Sequence, residues 1–429
     1  MSLIKNSLKN LKMISFHGSL SLISSIIALG SILFLSFHYK PIHFSTYGIF
    51  LSVATIILIF SKSDLDFAII SAKTDEEINM YLNMIMINCS IISIIIILLT
   101  FIFNIFCFAF YESSGWSNLL TFFLIIYIFV VSFRLSMNSY FIKNKKFVLY
   151  FFATSIKQII FFLLAFSNII FELDYFNSSG LVFFLIFSDL IIFIIFYNFF
   201  FRKLNFKIKF PNNFINQMLL LKPFYLFGSL TNLNLSIKEF VIIFFIQFQF
   251  GSVILGQFMF FKKTFTDSIS LIKKVLGDIY ISNINSLIIK KKNIINEFLF
   301  FTIFSIFISF IIYLIIKFFS KELFEVFIDK KWSLAFEILT IYSILICFSF
   351  VPSLLNRILN NYYQKIDFIW SLVFVFVLII YIKYINFSNY VIFFESLVKL
   401  ELLFYAFYLL LTFIVIYKIQ KKIDKNDLD

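Results

Sequence analysis

The sequence predicts an all-α integral membrane protein of about twelve transmembrane helices, arranged as two parallel six-helix repeats around a central cavity. Three observations carry that expectation. The 429 residues are 61% hydrophobic and only 14% charged, more apolar surface than one water-soluble core could bury. Apolar runs of about 18 or more residues recur from end to end, each long enough to cross a hydrocarbon layer of about 30 Å at about 1.5 Å per residue. Within lipid the backbone must satisfy its own hydrogen bonds, so such runs are helices, and the period-two alternation of a membrane barrel is absent.

Polar punctuation sets the elements in order. Lys5, Lys9 and Lys12 precede a first helix over 14–37, and Lys40 marks the loop after it. A second helix over 44–70 runs toward a loop that carries Lys62 and Lys73. The third and fourth, 82–110 and 118–142, lead to Lys143, Lys145 and Lys146. The fifth and sixth, 147–171 and 180–201, end at Arg202, Lys203, Lys207 and Lys209. The seventh and eighth, 217–249 and 251–284, reach Lys290, Lys291 and Lys292; charges inside that stretch also allow three shorter spans. The last four cover 294–318, 332–359, 364–385 and 389–418, before a polar tail with Lys421, Lys422 and Lys425.

Counting Lys and Arg in these loops gives the orientation. The segments on the side of the amino terminus hold most of them, whereas the opposite loops hold Lys40, the group Lys317, Lys321, Lys330 and Lys331, and Lys383. Cytoplasmic loops carry such an excess, so both termini are expected in the cytoplasm. The same asymmetry accounts for the net charge of +13 without nucleic acid as a partner. The first apolar run is too long for a cleavable signal and lacks a small-residue cleavage site. The 69 Phe, with many Ile, Asn and Lys, fit an AT-rich coding sequence rather than a binding surface.

A weak internal repeat organises the spans. Trp116-Ser117 aligns with Trp332-Ser333, and the helices that follow stay in step until Asn144 meets Asn360. Tyr47-Gly48-Ile49-Phe50 aligns likewise with Leu255-Gly256-Gln257-Phe258. Both matches imply halves of six helices, 1–205 and 206–429, and an even number of spans per half makes the repeats parallel.

Charges within the spans are the candidate functional residues, because an ionisable group at the bilayer centre costs at least about 2.5 to 3.5 kcal/mol unless it meets a partner or a watery cavity. Lys157 and Asp189 fall near the middle of the fifth and sixth helices, and Arg134 in the inner half of the fourth. Lys238 and Glu239 interrupt the seventh, Lys262, Lys263 and Asp267 the eighth, and Glu395, Lys399 and Glu401 the twelfth. One reading has Arg134, Lys157, Lys238, Lys262 and Lys399 line a cavity for an anionic substrate, with Asp189, Glu239, Asp267 and Glu395 balancing charge or taking up coupling ions. The structural reading is that Glu395 with Lys399, and Lys263 with Asp267, form i,i+4 pairs along a helix, and that Arg134 snorkels to the boundary.

No metal site is expected, since Cys89, Cys107 and Cys347 sit at unrelated spacings within apolar runs and His17, His38 and His43 lack ligand spacing. No Walker loop, GxGxxG or HExxH motif occurs, which excludes ATP hydrolysis by the chain and leaves no cofactor to expect. Energy would come from a proton or sodium gradient, the membrane potential or the substrate gradient.

Tyr47-Gly48-Ile49-Phe50, the run Asp64-Leu65-Asp66-Phe67-Ala68-Ile69-Ile70-Ser71-Ala72-Lys73 and the acids Asp75-Glu76-Glu77 resemble the Wzx-type O-antigen flippases of the multidrug/oligosaccharidyl-lipid/polysaccharide (MOP) exporter superfamily. Asn144-Lys145-Lys146, Lys222-Pro223, Gly251 and Gly256 extend that resemblance over the chain, while Thr264-Phe265-Thr266-Asp267 stands where many relatives carry a proline. The resemblance implies a flippase in the bacterial inner membrane that translocates undecaprenyl-pyrophosphate-linked oligosaccharide units by alternating access. It implies membrane lipid, a polysaccharide polymerase and a chain-length regulator as partners. Rival expectations are an O-antigen polymerase or sugar transferase, which needs larger outer loops, a cation or drug antiporter, which would prefer an acidic cavity, and a scaffold without transport.

Overall fold

The computed structural model describes residues 26–63, 65, 68, 69, 72, 74–106, 118–144, 146–171, 179–204, 228–385 and 387–424. Every regular element among them is helical. In chain order they are α1 (Ile26–His38), α2 (Pro41–Lys62), α3 (Asp75–Phe106), α4 (Asn118–Lys143), α5 (Phe147–Ile170) and α6 (Gly180–Leu204). The helix Ser229–Phe261 is divided at Gly251, whose φ of 86° and ψ of 173° are not helical. Residues 229–250 are α7; α8 covers 252–289, through a π turn at Lys262–Thr266. α9 is Ile295–Phe327, and the turn Lys330–Trp332 leads into α10 (Ser333–Phe348), which continues in two short pieces, Phe350–Leu355 and Arg357–Tyr362. α11 (Gln364–Tyr384) and α12 (Tyr390–Asp424) complete the chain.

Ten helices among the described residues are long and apolar enough to cross a membrane. They relate simply to the twelve spans expected. α1 is an apolar helix of lesser length, and the single stretch Ser229–Ser270 covers the two expected spans that Gly251 separates. At positive φ an L side chain costs about 1 to 2 kcal/mol, so only glycine ends α7 here cheaply. The Trp116-Ser117 anchor of the repeat, Asp64, Asp66, Lys145 and the pair Lys222-Pro223 lie outside the described residues.

The surface is that of a protein dissolved in lipid. α9 turns Phe300, Ile303, Phe307 and Phe310 outward, each 58% exposed or more. A row of bare aromatic and β-branched side chains along one helix would drive aggregation in water but is the ordinary face of a helix in hydrocarbon.

The helices fall into two compact units, His38–Gly256 and a second made of the chain up to Phe37 with Gln257–Asp429. Those limits differ from halves cut at 205 and 206, and particular contacts explain why. α7 and the first residues of α8 belong with α2: the Ser45 hydroxyl donates to Gln247 at 3.1 Å, and a Cβ added to Gly256 would collide with the backbone of Pro41. α1 belongs with the later helices, because the Trp332 indole donates to the carbonyl of Ser36 at 2.8 Å and Lys331 Nζ to that of Phe37 at 2.7 Å. Gln257 fixes the same corner, donating to the Lys331 carbonyl at 2.6 Å and accepting from the Ala335 amide at 3.0 Å.

In the first unit α6 packs on α4 and α5, and α2 on α3 and α4. Phe183 of α6 meets Phe123 of α4 edge-on at 4.6 Å, and the Ser61 and Ser132 hydroxyls join α2 to α4 at 3.1 Å. Small hydroxyl residues let membrane helices approach closely and glue them together. In the second unit α9 and α12 pack on α10, whose continuation Phe350–Leu355 lies against α8. Tyr280, Ile284, Phe298, Leu354, Ile358 and Tyr408 are among its buried core residues.

Candidate functional site

Three side chains near the middle of the first unit form one charged cluster. Arg134 comes from α4, Lys157 from α5 and Asp189 from α6. The turn after α4 is short, with the Asn144 side chain donating to the Tyr140 carbonyl at 3.0 Å, so α4 and α5 are joined as neighbours. α6 then packs on both. Lys157 is ten residues into α5 and Asp189 nine residues into α6, while Arg134 is nine residues from the end of α4. At about 1.5 Å per residue, each lies some 13 to 15 Å along its helix, the half-thickness of the hydrocarbon layer.

Arg134 Nε lies 2.5 Å from Asp189 Oδ1, and Lys157 Nζ lies 2.8 Å from Asp189 Oδ2. The Asp189 side chain is fully buried, whereas Arg134 and Lys157 keep 11% and 13% exposure. One carboxylate thus serves two cations, and the cluster carries a formal charge of +1 from its three members. Desolvating three charges is compensated only by close attraction, so the carboxylate holds both cations in place. Tyr127 sits seven residues, about two turns, before Arg134 on α4, buried, and interacts electrostatically with both Asp189 and Arg134.

The other residues named from sequence have different settings. Lys238 is buried and Glu239 half-buried on α7, in the same unit. In the second unit Lys263 Nζ pairs with Asp267 Oδ2 at 2.8 Å within α8, with 24% and 42% of the side chains exposed, which is the structural reading of that pair. Lys262 is half-buried in the π turn. Glu395 and Lys399 are exposed on α12, and no ion pair joins them to each other or to any described residue, so the expected i,i+4 bridge does not form. Arg134, which the structural reading has snorkel to the boundary, is held by Asp189.

Two further polar groups were not legible in the sequence. Lys273 of α8 donates to the Ser349 hydroxyl at 2.8 Å, where α10 is interrupted, and interacts electrostatically with the buried Glu401 of α12. Asp367, in the first turn of α11, is 6% exposed and accepts a hydrogen bond from the Tyr408 hydroxyl of α12. Lys273 stood well inside the expected eighth span and was passed over, while Asp367 lies within a turn of an expected loop, where charge is ordinary. Tyr127 at i−7 from Arg134 was the one signal available. Among the described residues no group of His, Cys, Asp and Glu could hold a metal.

No protein-family model and no curated protein matches the chain. Solved structures do. An inward-facing multidrug resistance MATE family transporter of the MOP superfamily superposes with a TM-score of 0.68 at 14% identity, over 93% of this chain and 96% of its own. The fold is that of the MOP transporters. A MOP superfamily transporter from Pyrococcus furiosus Vc1, described by a reverse polarity of its binding pocket that suggests a different function, matches with a TM-score of 0.56 at 14% identity, over 95% and 96% of the two chains. The lipid II flippase MurJ, in an inward closed conformation, gives a TM-score of 0.57 at 18% identity over 95% and 90%. Drug exporters and a lipid flippase thus share the MOP fold with this chain, and identities this low leave the cargo to be argued from the site.

Proposed function

We propose that this MOP-fold chain is a secondary carrier that flips an anionic, lipid-linked oligosaccharide of the undecaprenyl-pyrophosphate type from the cytoplasmic to the outer leaflet by alternating access. The observation that carries the reading is that two cations, Arg134 and Lys157, meet on the one buried carboxylate Asp189. A cluster richer in cations than in carboxylates favours a pyrophosphate or acidic sugar head group over a cationic drug, while a polyprenyl tail would stay in hydrocarbon. In this reading Asp189 keeps both cations oriented in the empty carrier. An arriving anion competes for Lys157, whose ammonium has three donors and can turn toward it, whereas Arg134 stays on Asp189. Lys238, buried on α7 in the same unit, would add to the attraction, and nothing covalent is needed.

Antiport of a cationic drug is the second reading, favoured by the MATE structures that share the fold. The sign of the cluster separates the two. Deleting the gene in its host is expected to remove the surface polysaccharide and to accumulate lipid-linked repeat units on the cytoplasmic side. Unchanged surface chains in a host with no second flippase would overturn the proposal. Lys157→Ala is expected to abolish export at normal membrane abundance and Lys157→Arg to restore part of it. Drug resistance that falls in the deletion strain while the polysaccharide persists would point to the second reading.

A further inference from the structure

Buried carboxylates differ in what balances them. Asp189 has two cations, and Glu401 interacts with Lys273. Asp367, 6% exposed, has no cation within ion-pair distance among the described residues, and its partner is the Tyr408 hydroxyl. The groups around it are accounted for. Lys365 on the same helix is exposed. Arg357, on the last piece of the interrupted helix, lies along Gly277 of α8, with its Cγ and Nε 3.2 Å from where a Cβ would stand. Tyr362 donates to Asn285 at 2.8 Å. On α12, Tyr405 interacts with Tyr408, and Lys399 is exposed. The remaining wall is aromatic: Trp370, one turn beyond Asp367, stacks over Tyr408 at 5.9 Å and packs on Phe404 at 5.1 Å.

The Asn356 side chain lies beside the Tyr408 hydroxyl and interacts with it. Asn356 separates the short pieces Phe350–Leu355 and Arg357–Tyr362, the segment that also contains Pro352 and follows the Lys273–Ser349 bond. A buried carboxylate walled by aromatic rings, with one hydroxyl donor, is poorly compensated for its charge, and a carboxylic acid there would be satisfied.

We infer that Asp367 is a proton-binding site, and that Tyr408 and Asn356 transmit its protonation state to the interrupted helix at 349–357. In the ionised state Tyr408 donates to Asp367 and accepts from the Asn356 amide. On taking up one proton from solvent, Asp367 becomes the donor to the Tyr408 oxygen. The Tyr408 hydrogen is then free to turn to the carbonyl of Asn356, which must reorient its amide. The chain of donors reverses its direction, and the piece of helix that carries Asn356 feels the change. No other atom is transferred. That this proton drives a transport cycle rests on the carrier reading above, but the proton site and its relay do not.

The test is pH-difference infrared spectroscopy on the full chain in lipid, between mildly acidic and mildly alkaline buffer. The carbonyl-stretch band of a protonated carboxyl is expected in the wild type and in Asp367→Glu, lost in Asp367→Asn and retained in Asp189→Asn. Wild-type and Asp367→Asn spectra that superimpose would overturn the proposal. Should Asp367→Asn not fold, Tyr408→Phe keeps the carboxyl and removes its donor, so both the band and its titration midpoint are expected to move; an unmoved band overturns the assignment. Hydrogen exchange of the amides over 349–362 is expected to change with pH in the wild type and not in Tyr408→Phe, and equal behaviour would overturn the relay. Neither measurement involves a transported substrate, so failure of the flippase reading would leave both results standing.

Discussion

In the His38–Gly256 unit the buried carboxylate Asp189 holds two cations drawn from two other helices, whereas in the second unit Asp367 is bonded to a tyrosine hydroxyl with no cation in reach among the described residues. Both carboxylates are hidden from solvent, yet the surroundings give them opposite roles. Arg134 and Lys157 tie Asp189 to two other helices and make it a fixed strut. Around Asp367, where no described cation is within ion-pair distance, a proton would neutralise the group without moving a helix. Buried charge in a membrane protein is thus interpretable through its partners and not through its depth.

The largest expected effect comes from breaking the strut. Asp189→Ala leaves two buried cations facing each other and should cost about 3 to 5 kcal/mol, seen as loss of folded, monodisperse protein on mild heating. Lys157→Met should be far milder, because Arg134 and Asp189 remain a neutral pair, and combining it with Asp189→Ala should restore part of the loss. A double-mutant cycle with no coupling between positions 157 and 189 would break the comparison at its root.

A second, smaller effect tests how α2 meets the start of α8. Gly256→Val drives a side chain into the backbone at Pro41 and should cost about 1 to 3 kcal/mol, measured by the same heating assay. Glu401→Gln weakens the environment of Lys273 but leaves Ser349 as a partner, so about 1 to 2 kcal/mol is expected, below the cost of losing Asp189. The smallest effect belongs to Asp267→Asn, since its pair with Lys263 lies within one helix and is partly exposed. A change under about 0.5 kcal/mol and unaltered export are expected, and a large loss of export there would move the site toward α8.

How much of this was written in the chain differs by level. The break between the seventh and eighth spans was legible at Gly251, because glycine is the residue that a positive φ demands. Arg134, Lys157 and Asp189 stood out as single charges in apolar runs, and the cost of burying them made each a candidate in isolation. Their union was not legible: nothing in the spacing of 134, 157 and 189 says that three helices meet on one carboxylate. Asp367 was passed over because a charge within a turn of a loop is ordinary until packing closes over it.

The sequence by itself determined that the chain lives in lipid as a bundle of helices, since apolar length and backbone hydrogen bonding leave no other solution. Only the tertiary structure decided the partners of each buried charge, and the grouping of α1 with the later helices and α7 with the earlier ones. Those choices depend on contacts between residues more than a hundred positions apart, such as Ser36 with Trp332 and Ser45 with Gln247, and helix periodicity carries no information at that distance.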